Sequence, residues 1–294
     1  MILRPMRVLG FYSFFEITHP IKIKESINNH ISKLGIEGSI LLSFEGINGT
    51  ILVPDEHENF IQEYLLELGV DKKNIKVSNF DKKKIFSKFG VKIKNEIVTS
   101  GFDLTMNEIH NGQFVEADHW DDFIKKENVT ILDTRNEYEY RIGHFQNAVD
   151  PNISTFKEFK KYIQKNKEIL KKKKIAIYCT GGIRCEKAGP LMQKYGIDTY
   201  QLKGGILKYL EVSSAKSWDG ECFVFDKRVA LNKRLKPGST LLCHGCNMPL
   251  KLEETKSPHY KQGFSCQRCY HGLNQKKIRS LTEKRKHWKR VMAD

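Results

Sequence analysis

A cysteine placed between a short apolar strand and a glycine pair is the feature that most constrains this chain. Ile175, Ile177 and then Cys179 occupy alternate positions after a run of lysines, which predicts a buried strand. The glycine pair that follows allows a tight loop, and a helical segment begins near Arg184. In such a loop, backbone N–H groups and the positive end of a helix converge on the thiol. We therefore expect Cys179 to be a nucleophile whose pKa lies below the value of about 8.5 for a free thiol.

The spacing from Cys179 to Arg184 favours a chemical role for this cysteine over a purely structural one. Free cysteines are often inert core residues, but a core cysteine needs no Cys-x4-Arg loop with two glycines. This ring, which we expect Arg184 to close, is shorter than a phosphate-binding Cys-x5-Arg ring and suits a sulfur atom or another small acceptor. The adjacent Cys185 is either a packing residue or a resolving thiol for an oxidised or persulfidated Cys179. The candidate active-site loop consists of Thr180, Gly181, Gly182, Ile183 and Arg184.

Strands and helices alternate around this loop, and residues 113–215 are predicted to form one catalytic domain. Strands are predicted at 129–133, near Ala148, at 175–178 and at 199–202, and helices at 120–125, at 156–170, after Arg184 and at 206–210. Thr155 and Glu158 have the spacing of a capping box for the second helix. This order predicts an α/β fold with a mostly parallel sheet, whose active groups gather at the carboxyl ends of the strands.

Residues 1–100 are predicted to form a separate ferredoxin-like α+β domain, joined to the catalytic domain by a linker at 101–112. Strands are predicted at 8–17, 39–44, 50–53 and 75–78, and helices at 21–34 and 58–68, which gives the order βαββαβ. Asn48 and Gly49 are predicted to lie at the tip of the hairpin between the second and third strands, because Asn-Gly favours tight hairpin turns.

The remaining residues, 216–294, form a cysteine-rich segment. Two Cys-x-x-Cys pairs separated by nineteen residues have the spacing of a zinc ribbon. A reduced cluster without metal and a redox pair are the alternatives, and His244, His259 or His271 is near enough in sequence to replace one thiolate. Four thiolates would leave no open coordination position, so we expect a structural zinc ion. The predicted metal ligands are Cys243, Cys246, Cys266 and Cys269.

Positive charge is concentrated at the end of the chain. The 294 residues include 50 Lys and Arg against 35 Asp and Glu, a net charge of +15, which favours a polyanionic partner such as RNA or a membrane surface. Solvated lysine-rich faces are the alternative explanation. The predicted RNA-binding residues are Lys276, Lys277, Arg279, Lys284, Arg285, Lys286, Lys289 and Arg290.

Several motifs together resemble a known family. Cys179-Thr-Gly-Gly-Ile-Arg184, Ile131-Leu-Asp-Thr-Arg-Asn-Glu-Tyr138 and Leu202-Lys-Gly-Gly-Ile206 are similar to rhodanese domains. Together with Ser43-Phe-Glu-Gly-Ile-Asn-Gly-Thr50 and Cys243-His-Gly-Cys246, they resemble the rhodanese-like tRNA uridine hydroxylases. The resemblance covers nearly the whole chain. It implies a bacterial enzyme that makes 5-hydroxyuridine at the wobble position of tRNA, with molecular oxygen as co-substrate.

The resemblance also implies roles for individual residues. Asp133 and Arg135 are expected to support the active loop, with a plain surface ion pair as the alternative. Cys179 is expected to be the catalytic residue, either by attacking C6 of uracil directly or as a persulfide. The main alternative activity is a rhodanese-type sulfurtransferase that carries persulfide sulfur on Cys179, and a tRNA-binding adaptor without enzymatic activity is a third.

The sequence also suggests what the protein does not use. No GxGxxG fingerprint lies between a strand and a helix, so no nucleotide cofactor is expected. No stretch reaches the ~18 apolar residues needed to cross a bilayer, and the seven cysteines fit a reducing compartment. We therefore expect a cytoplasmic enzyme, and the resemblance implies that it binds the tRNA anticodon region. No membrane contact and no protein partner are indicated.

Overall fold

A computed structural model describes residues 5–80, 86 and 88–291, except for the side chains at 284, 285 and 287–291. The first part of the chain forms a five-stranded sheet covered by two helices. Its elements are β1 (Met6–Phe14), α1 (Pro20–Ile31), β2 (Glu37–Ser43), β3 (Gly46–Pro54), α2 (Glu58–Glu67), β4 (Ile75–Phe80) and β5 (Phe89–Ile93). The strand order is β4-β1-β3-β2-β5, and only the β2–β5 pair is parallel. Buried isoleucines of α1 pack on the sheet because they recur at helical spacing. The predicted ferredoxin-like order is confirmed, with β5 added at one edge.

The hairpin between β2 and β3 turns earlier than predicted. Ser43 pairs with Gly46, so Phe44 and Glu45 form the turn, whereas Asn48 and Gly49 lie inside β3. Gly46 has a φ of 141°, and an added Cβ would lie 2.0 Å from the carbonyl oxygen of Ser13. The prediction of an Asn-Gly turn tip is therefore wrong. β1 pairs with the whole of β3, which keeps Asn48 and Gly49 extended.

The middle part of the chain contains a four-stranded parallel sheet with helices on both sides. Its elements are α3 (Met106–His110), β6 (Phe114–Val115), α4 (Trp120–Ile124), β7 (Val129–Asp133), α5 (Glu137–Ile142), β8 (Gly143–Phe145), α6 (Phe159–Leu170), β9 (Lys174–Tyr178), α7 (Cys185–Lys194), β10 (Thr199–Leu202) and α8 (Gly205–Val212). The sheet order is β6-β10-β9-β7. The parallel α/β prediction is confirmed. The predicted linker contains α3, and Val149, in the predicted strand near Ala148, makes a single bridge to Leu132.

The capping box predicted at Thr155 is not formed. The Glu158 carboxylate accepts hydrogen bonds from the Ser154 amide and the Thr155 hydroxyl, both at 3.0 Å, so the Thr155 hydroxyl caps no helical amide. Residues 156–158 form a 3-10 turn, and α6 begins only at Phe159. A reciprocal capping box is present at the start of α3, between Thr105 and Glu108.

The last part of the chain is joined to the middle part by backbone pairing in a separate two-stranded sheet. Its elements are β11 (Trp218–Gly220), β12 (Cys222–Phe223), β13 (Ala230–Leu231), β14 (Leu241–Leu242), β15 (Pro249–Leu250) and α9 (Gln275–Val291). β11 pairs with β8, and Trp218 is fully buried beside Phe145. In the part of the chain that the structure describes, no helix has the length and apolar character needed to cross a bilayer.

A buried lysine joins the first domain to the middle domain. Lys187, on α7, is 2% exposed, and its Nζ lies 2.8 Å from a carboxylate oxygen of Glu45 and 2.7 Å from one of Glu96. Burial opposes ionisation of Glu96, but hydrogen bonds from Lys187, Ser100 and nearby amides lower its pKa to about 2. This ion triad therefore holds the first domain against the face of α7.

We predict that Lys187→Met lowers the free energy of unfolding by about 3 kcal/mol, because it leaves two carboxylates without their cation. The folded-state pKa of Glu96 is lower than its unfolded value, so this stabilisation is complete above about pH 4.5 and is lost as the pH falls towards 2. Urea denaturation at pH 7 and at pH 3 measures both effects. Lys171→Met, in an exposed pair with Glu168, is the control and should change stability by at most about 0.5 kcal/mol. Equal effects of the two substitutions would contradict the assignment.

Candidate active site

The loop between β9 and α7 holds Cys179 as predicted. Cys179 follows the last residue of β9, and the amide of Gly182 donates to its Sγ at 3.1 Å. The amide of Cys185 then donates to the carbonyl of Gly182, which starts α7. Gly182 has a φ of 108°, and an added Cβ would lie 2.6 Å from the Tyr12 hydroxyl. A glycine is therefore required here both by the backbone conformation and by the approach of β1.

The surroundings of Cys179 favour the thiolate. Burial alone would raise its pKa, but the Cys185 thiol, the positive charge of Arg184 and the amides of both residues lower it to about 5. The same burial, together with the neighbouring thiolate, raises the pKa of Cys185 well above its ordinary value. The predicted direction for Cys179 is confirmed. Cys185 remains a thiol that donates to Cys179 and contacts the Thr134 hydroxyl at 3.6 Å.

The guanidinium of Arg184 does not close the ring around Sγ, contrary to the expectation from the sequence. It donates to both carboxylate oxygens of Glu139, at 2.7 and 2.8 Å. Glu139 is fully buried on α5, and the charge of Arg184 helps to keep its pKa low despite that burial. Arg184 therefore acts on Cys179 through its charge and its backbone amide, while its side chain anchors the loop to α5.

Asp133 and Arg135 form a fully buried ion pair below the loop. Nη2 of Arg135 lies 2.7 Å from Oδ2 of Asp133 and also donates to the carbonyl of Gly143. The guanidinium lies 5.5 Å from the ring centre of Tyr178, the residue that precedes Cys179. The alternative of a surface ion pair is wrong, since both side chains are inaccessible to solvent. Support of the loop through Tyr178 stays a prediction.

The first domain supplies two residues of the site that sequence reasoning missed. Lys76, on β4, donates from Nζ to the carbonyls of Gly181, at 3.0 Å, and Gly204. Tyr12, on β1, donates to Oε1 of Glu186 at 2.7 Å. Burial lowers the pKa of Lys76 to about 8, although the negative charge of Cys179 opposes the decrease. Strand alternation shows only which face of a sheet such residues occupy, so these contacts could not be predicted from the sequence pattern.

A large cleft lies between the two domains and opens onto the loop. It has a volume of about 1410 Å³ and is bordered by Tyr12, Lys76, Cys179, Glu186 and Phe225 among others. Thr180 also borders the cleft, and its buried hydroxyl has no hydrogen-bond partner among the described residues. Ile183 also borders the cleft and packs against buried apolar residues of β1. Cys179 therefore lies beside a space that can admit a molecule much larger than a sulfur anion.

Comparisons with known protein families identify a matching family for each of the first two domains. Residues 6–97 match the UPF0176 acylphosphatase like domain, and residues 116–211 match the rhodanese-like domain. A tRNA uridine(34) hydroxylase of Acinetobacter baumannii (strain AYE) is 38% identical over 282 residues, covering 95% of this chain and 87% of that protein. A tRNA uridine(34) hydroxylase of Prochlorococcus marinus (strain NATL2A) is 42% identical over 273 residues, covering 90% of this chain and 85% of that protein. This chain belongs to the tRNA uridine(34) hydroxylase family.

The cysteine-rich segment of this member of the tRNA uridine(34) hydroxylase family can hold a metal ion. The Sγ atoms of Cys243, Cys246, Cys266 and Cys269 all lie within 4.8 Å of one another. Three of the distances are 3.7–3.9 Å, close to the spacing of about 3.8 Å expected for thiolates placed tetrahedrally 2.3 Å from zinc. An added Cβ at Gly245 would lie 2.1 Å from the carbonyl of Phe264, so the two turns that carry the cysteines are tightly packed.

The cysteine cluster is docked on the helix that anchors Arg184. Arg141, on α5, contacts Glu254 at 2.6 Å and donates to the carbonyl of Pro249 at 2.8 Å. Arg268, between the last two cysteines, contacts Glu137 of the same helix at 3.1 Å. A continuous set of contacts therefore links the cysteine cluster through α5 to the loop that holds Cys179.

The basic end of the chain forms α9 beyond the cluster. The side chains of Lys276, Lys277, Arg279 and Lys286 are exposed, and Lys286 contacts Glu283 at 3.0 Å. The side chains of Lys284, Arg285, Lys289 and Arg290 lie outside the described part of the chain. A role in RNA binding for this segment stays a prediction.

We predict that Lys76→Met raises the pKa of the Cys179 thiol by about one pH unit or more, because it removes a nearby cation and releases the Gly181 carbonyl. The pH dependence of Cys179 alkylation by iodoacetamide, followed by peptide mass spectrometry, gives the value. Arg184, Cys185, Tyr12 and Glu186 also face the thiol and remain unchanged in this variant. Lys22→Met, on the exposed side of α1, should leave the midpoint near pH 5. An unchanged midpoint in Lys76→Met would show that Lys76 has no electrostatic effect on Cys179.

Proposed function

We propose that this chain hydroxylates C5 of the wobble uridine in tRNA anticodons, with Cys179 as the catalytic residue and molecular oxygen as co-substrate. The observation that carries the proposal is the position of a stabilised thiolate beside a large interdomain cleft, in a chain similar over 95% of its length to a protein named tRNA uridine(34) hydroxylase. The enzyme is then an oxidoreductase of the monooxygenase type. We propose a cytoplasmic location, because tRNA is the proposed substrate.

The chemistry begins with attack of the Cys179 thiolate on C6 of uracil. A bond forms between Sγ and C6, and the electrons of the C5–C6 double bond move onto C5 and O4 as an enolate. C5 then forms a bond to one atom of O2, and the other atom leaves as water with two electrons and two protons from an external two-electron donor. The oxygen on C5 takes one further proton from solvent, which the later loss of the C5 proton returns. Loss of the proton from C5 and expulsion of the thiolate restore the double bond and give 5-hydroxyuridine.

Residues beside Cys179 suit these steps. The Gly182 amide donates to the thiolate before attack, and Lys76, bound to the Gly181 carbonyl, stabilises it through its positive charge. The unpartnered hydroxyl of Thr180 can donate to a uracil carbonyl. Glu186 faces the same cleft, and burial raises the pKa of its carboxyl, which suits it to accept the proton from C5.

Nucleoside mass spectrometry of tRNA from cells that lack this chain tests the proposed activity. We expect 5-hydroxyuridine and its derivatives to be lost, and to return with the wild type but not with Cys179→Ala. Cys222→Ala changes a buried cysteine outside the cleft and is the matched control, which should restore the modification. Unchanged 5-hydroxyuridine in the absence of the chain would refute the proposal, and thiosulfate-to-cyanide sulfur transfer would then be the activity to assay.

We also propose that the four cysteines bind one structural zinc ion. A closed set of four thiolates leaves no position for substrate, so the ion stabilises the fold of the last segment. Its docking on Glu137 and Arg141 lets that stabilisation extend to α5. The exposed cations of α9 are proposed to contact phosphates of the bound tRNA.

Elemental analysis of the purified chain should give one zinc ion per molecule. Cys243→Ser should reduce the zinc content and lower the Tm, because metal binding and folding of such segments are coupled. Cys222→Ala should retain the metal. Full zinc content in Cys243→Ser, or zinc loss in both variants, would contradict the assignment of the ligands.

A further inference from the structure

Phe225 is an exposed aromatic residue at the edge of the catalytic cleft. It is 67% exposed and follows β12, in the loop that joins β12 to β13. Its ring packs edge-on against Phe223 at 5.1 Å, and the guanidinium of Arg184 lies 6.0 Å from its centre. Phe225 therefore lies next to the residue that anchors the catalytic loop while leaving much of its own surface open to solvent.

The loop that carries Phe225, residues 224–229, is held rigidly. The amide of Val224 donates to the carbonyl of Val229, and the amide of Val229 donates to the carbonyl of Asp226. Arg228 forms a bidentate ion pair with Asp226, with Nε–Oδ1 and Nη2–Oδ2 distances of 2.9 and 2.6 Å. Its Nη1 also reaches Oγ of Ser78 on β4, at 3.3 Å. The ring of Phe225 is thus presented in a fixed position by contacts with both domains.

A second cavity lies on the other side of Phe225. It has a volume of about 450 Å³ and shares Ser39, Phe86 and residues 224–226 with the catalytic cleft. Lys88, Lys92 and Lys227 line it, all three are exposed, and none has an ion-pair partner among the described residues. Among the described residues of its lining, the one acid is Asp226, and it is neutralised by Arg228. The cavity therefore presents unpaired positive charge beside an exposed aromatic ring.

We propose that Phe225 is a stacking platform for a base next to the target uridine, and that the Lys88–Lys92–Lys227 cavity binds phosphates of the same strand. The proposal rests on the proposed function and identifies the surface that would recognise its RNA. A single-stranded RNA loop fits both features, because unstacked bases pack on aromatic rings while lysines contact the backbone. Phe225 lies between the two cavities. With one base stacked on its ring, the RNA on one side of that base would enter the catalytic cleft and the RNA on the other side would enter the lysine cavity.

The test is equilibrium binding of an RNA hairpin whose loop carries uridine at the wobble position, measured by fluorescence anisotropy at several salt concentrations. Phe225→Ala should raise Kd about tenfold or more with the salt dependence unchanged, whereas Phe225→Trp should keep wild-type affinity. The Lys88→Gln/Lys92→Gln double variant should reduce the slope of log K against log salt by about 1.4, because two phosphate contacts are lost. Phe44→Ala is the matched control, since Phe44 is 66% exposed on the β2–β3 turn and borders neither cavity.

These measurements test RNA binding at Phe225 independently of the proposed hydroxylation. Weaker hairpin binding by Phe225→Ala, with no change for Phe44→Ala, supports the platform even if cellular tRNA shows no dependence on the chain. Full hydroxylation by Phe225→Ala together with an unchanged Kd overturns it. An unchanged salt slope in the lysine double variant overturns the proposal that this cavity binds phosphates. Equal losses of hairpin affinity in Phe225→Ala and Phe44→Ala overturn the stacking platform, because they would show a general effect of exposed apolar surface.

Discussion

The buried ion pair between Arg184 and Glu139 is the interaction on which the rest of the site depends. Removing one member of such a pair typically costs about 3–5 kcal/mol, because the remaining charge is left in a poorly solvated interior. The pair fixes the catalytic loop to α5, and the same helix receives the cysteine cluster through Glu137 and Arg141. Arg184 can therefore lower the pKa of Cys179 through its charge while its side chain stays bound to Glu139, so the thiolate that we propose as the nucleophile is stabilised before any substrate binds.

The ferredoxin-like domain completes this arrangement from the opposite side. Lys187 holds it against α7, which places Tyr12 on Glu186 and Lys76 on the carbonyls of the catalytic loop. A rhodanese-like loop alone offers backbone amides to a small sulfur species. With a second domain over it, the same loop borders a cleft of about 1410 Å³, which is large enough for a nucleobase and part of its strand. The altered cleft explains how a sulfur-carrier fold can be used for a reaction on RNA.

Local patterns made much of this predictable from the sequence. The strand before Cys179, the glycine loop and the paired cysteines are each specified within a few residues, so their positions follow from chain geometry. The partner of Arg184 could not be predicted in this way, because the chain has 35 Asp and Glu residues and charge alone does not show that Glu139 is the one that pairs with it. Tyr12 and Glu186 are 174 residues apart, and a strand pattern cannot show which surface of another domain it will meet. The prediction of a turn at Asn48 and Gly49 was wrong for a related reason, because pairing of β3 with β1 outweighed the local preference of Asn-Gly for a turn.

The most direct test of the central claim is to trap the bond between Cys179 and the target base. A tRNA with 5-fluorouridine at the wobble position can accept the thiolate at C6, but fluorine cannot leave C5 as a proton does, so the adduct should persist. Mass spectrometry of the digested complex should then show the nucleotide attached to the peptide that contains Cys179, and no adduct with Cys179→Ser. A persulfide on Cys179 with no attached nucleotide would contradict direct attack and would show that the loop still works as a sulfur carrier.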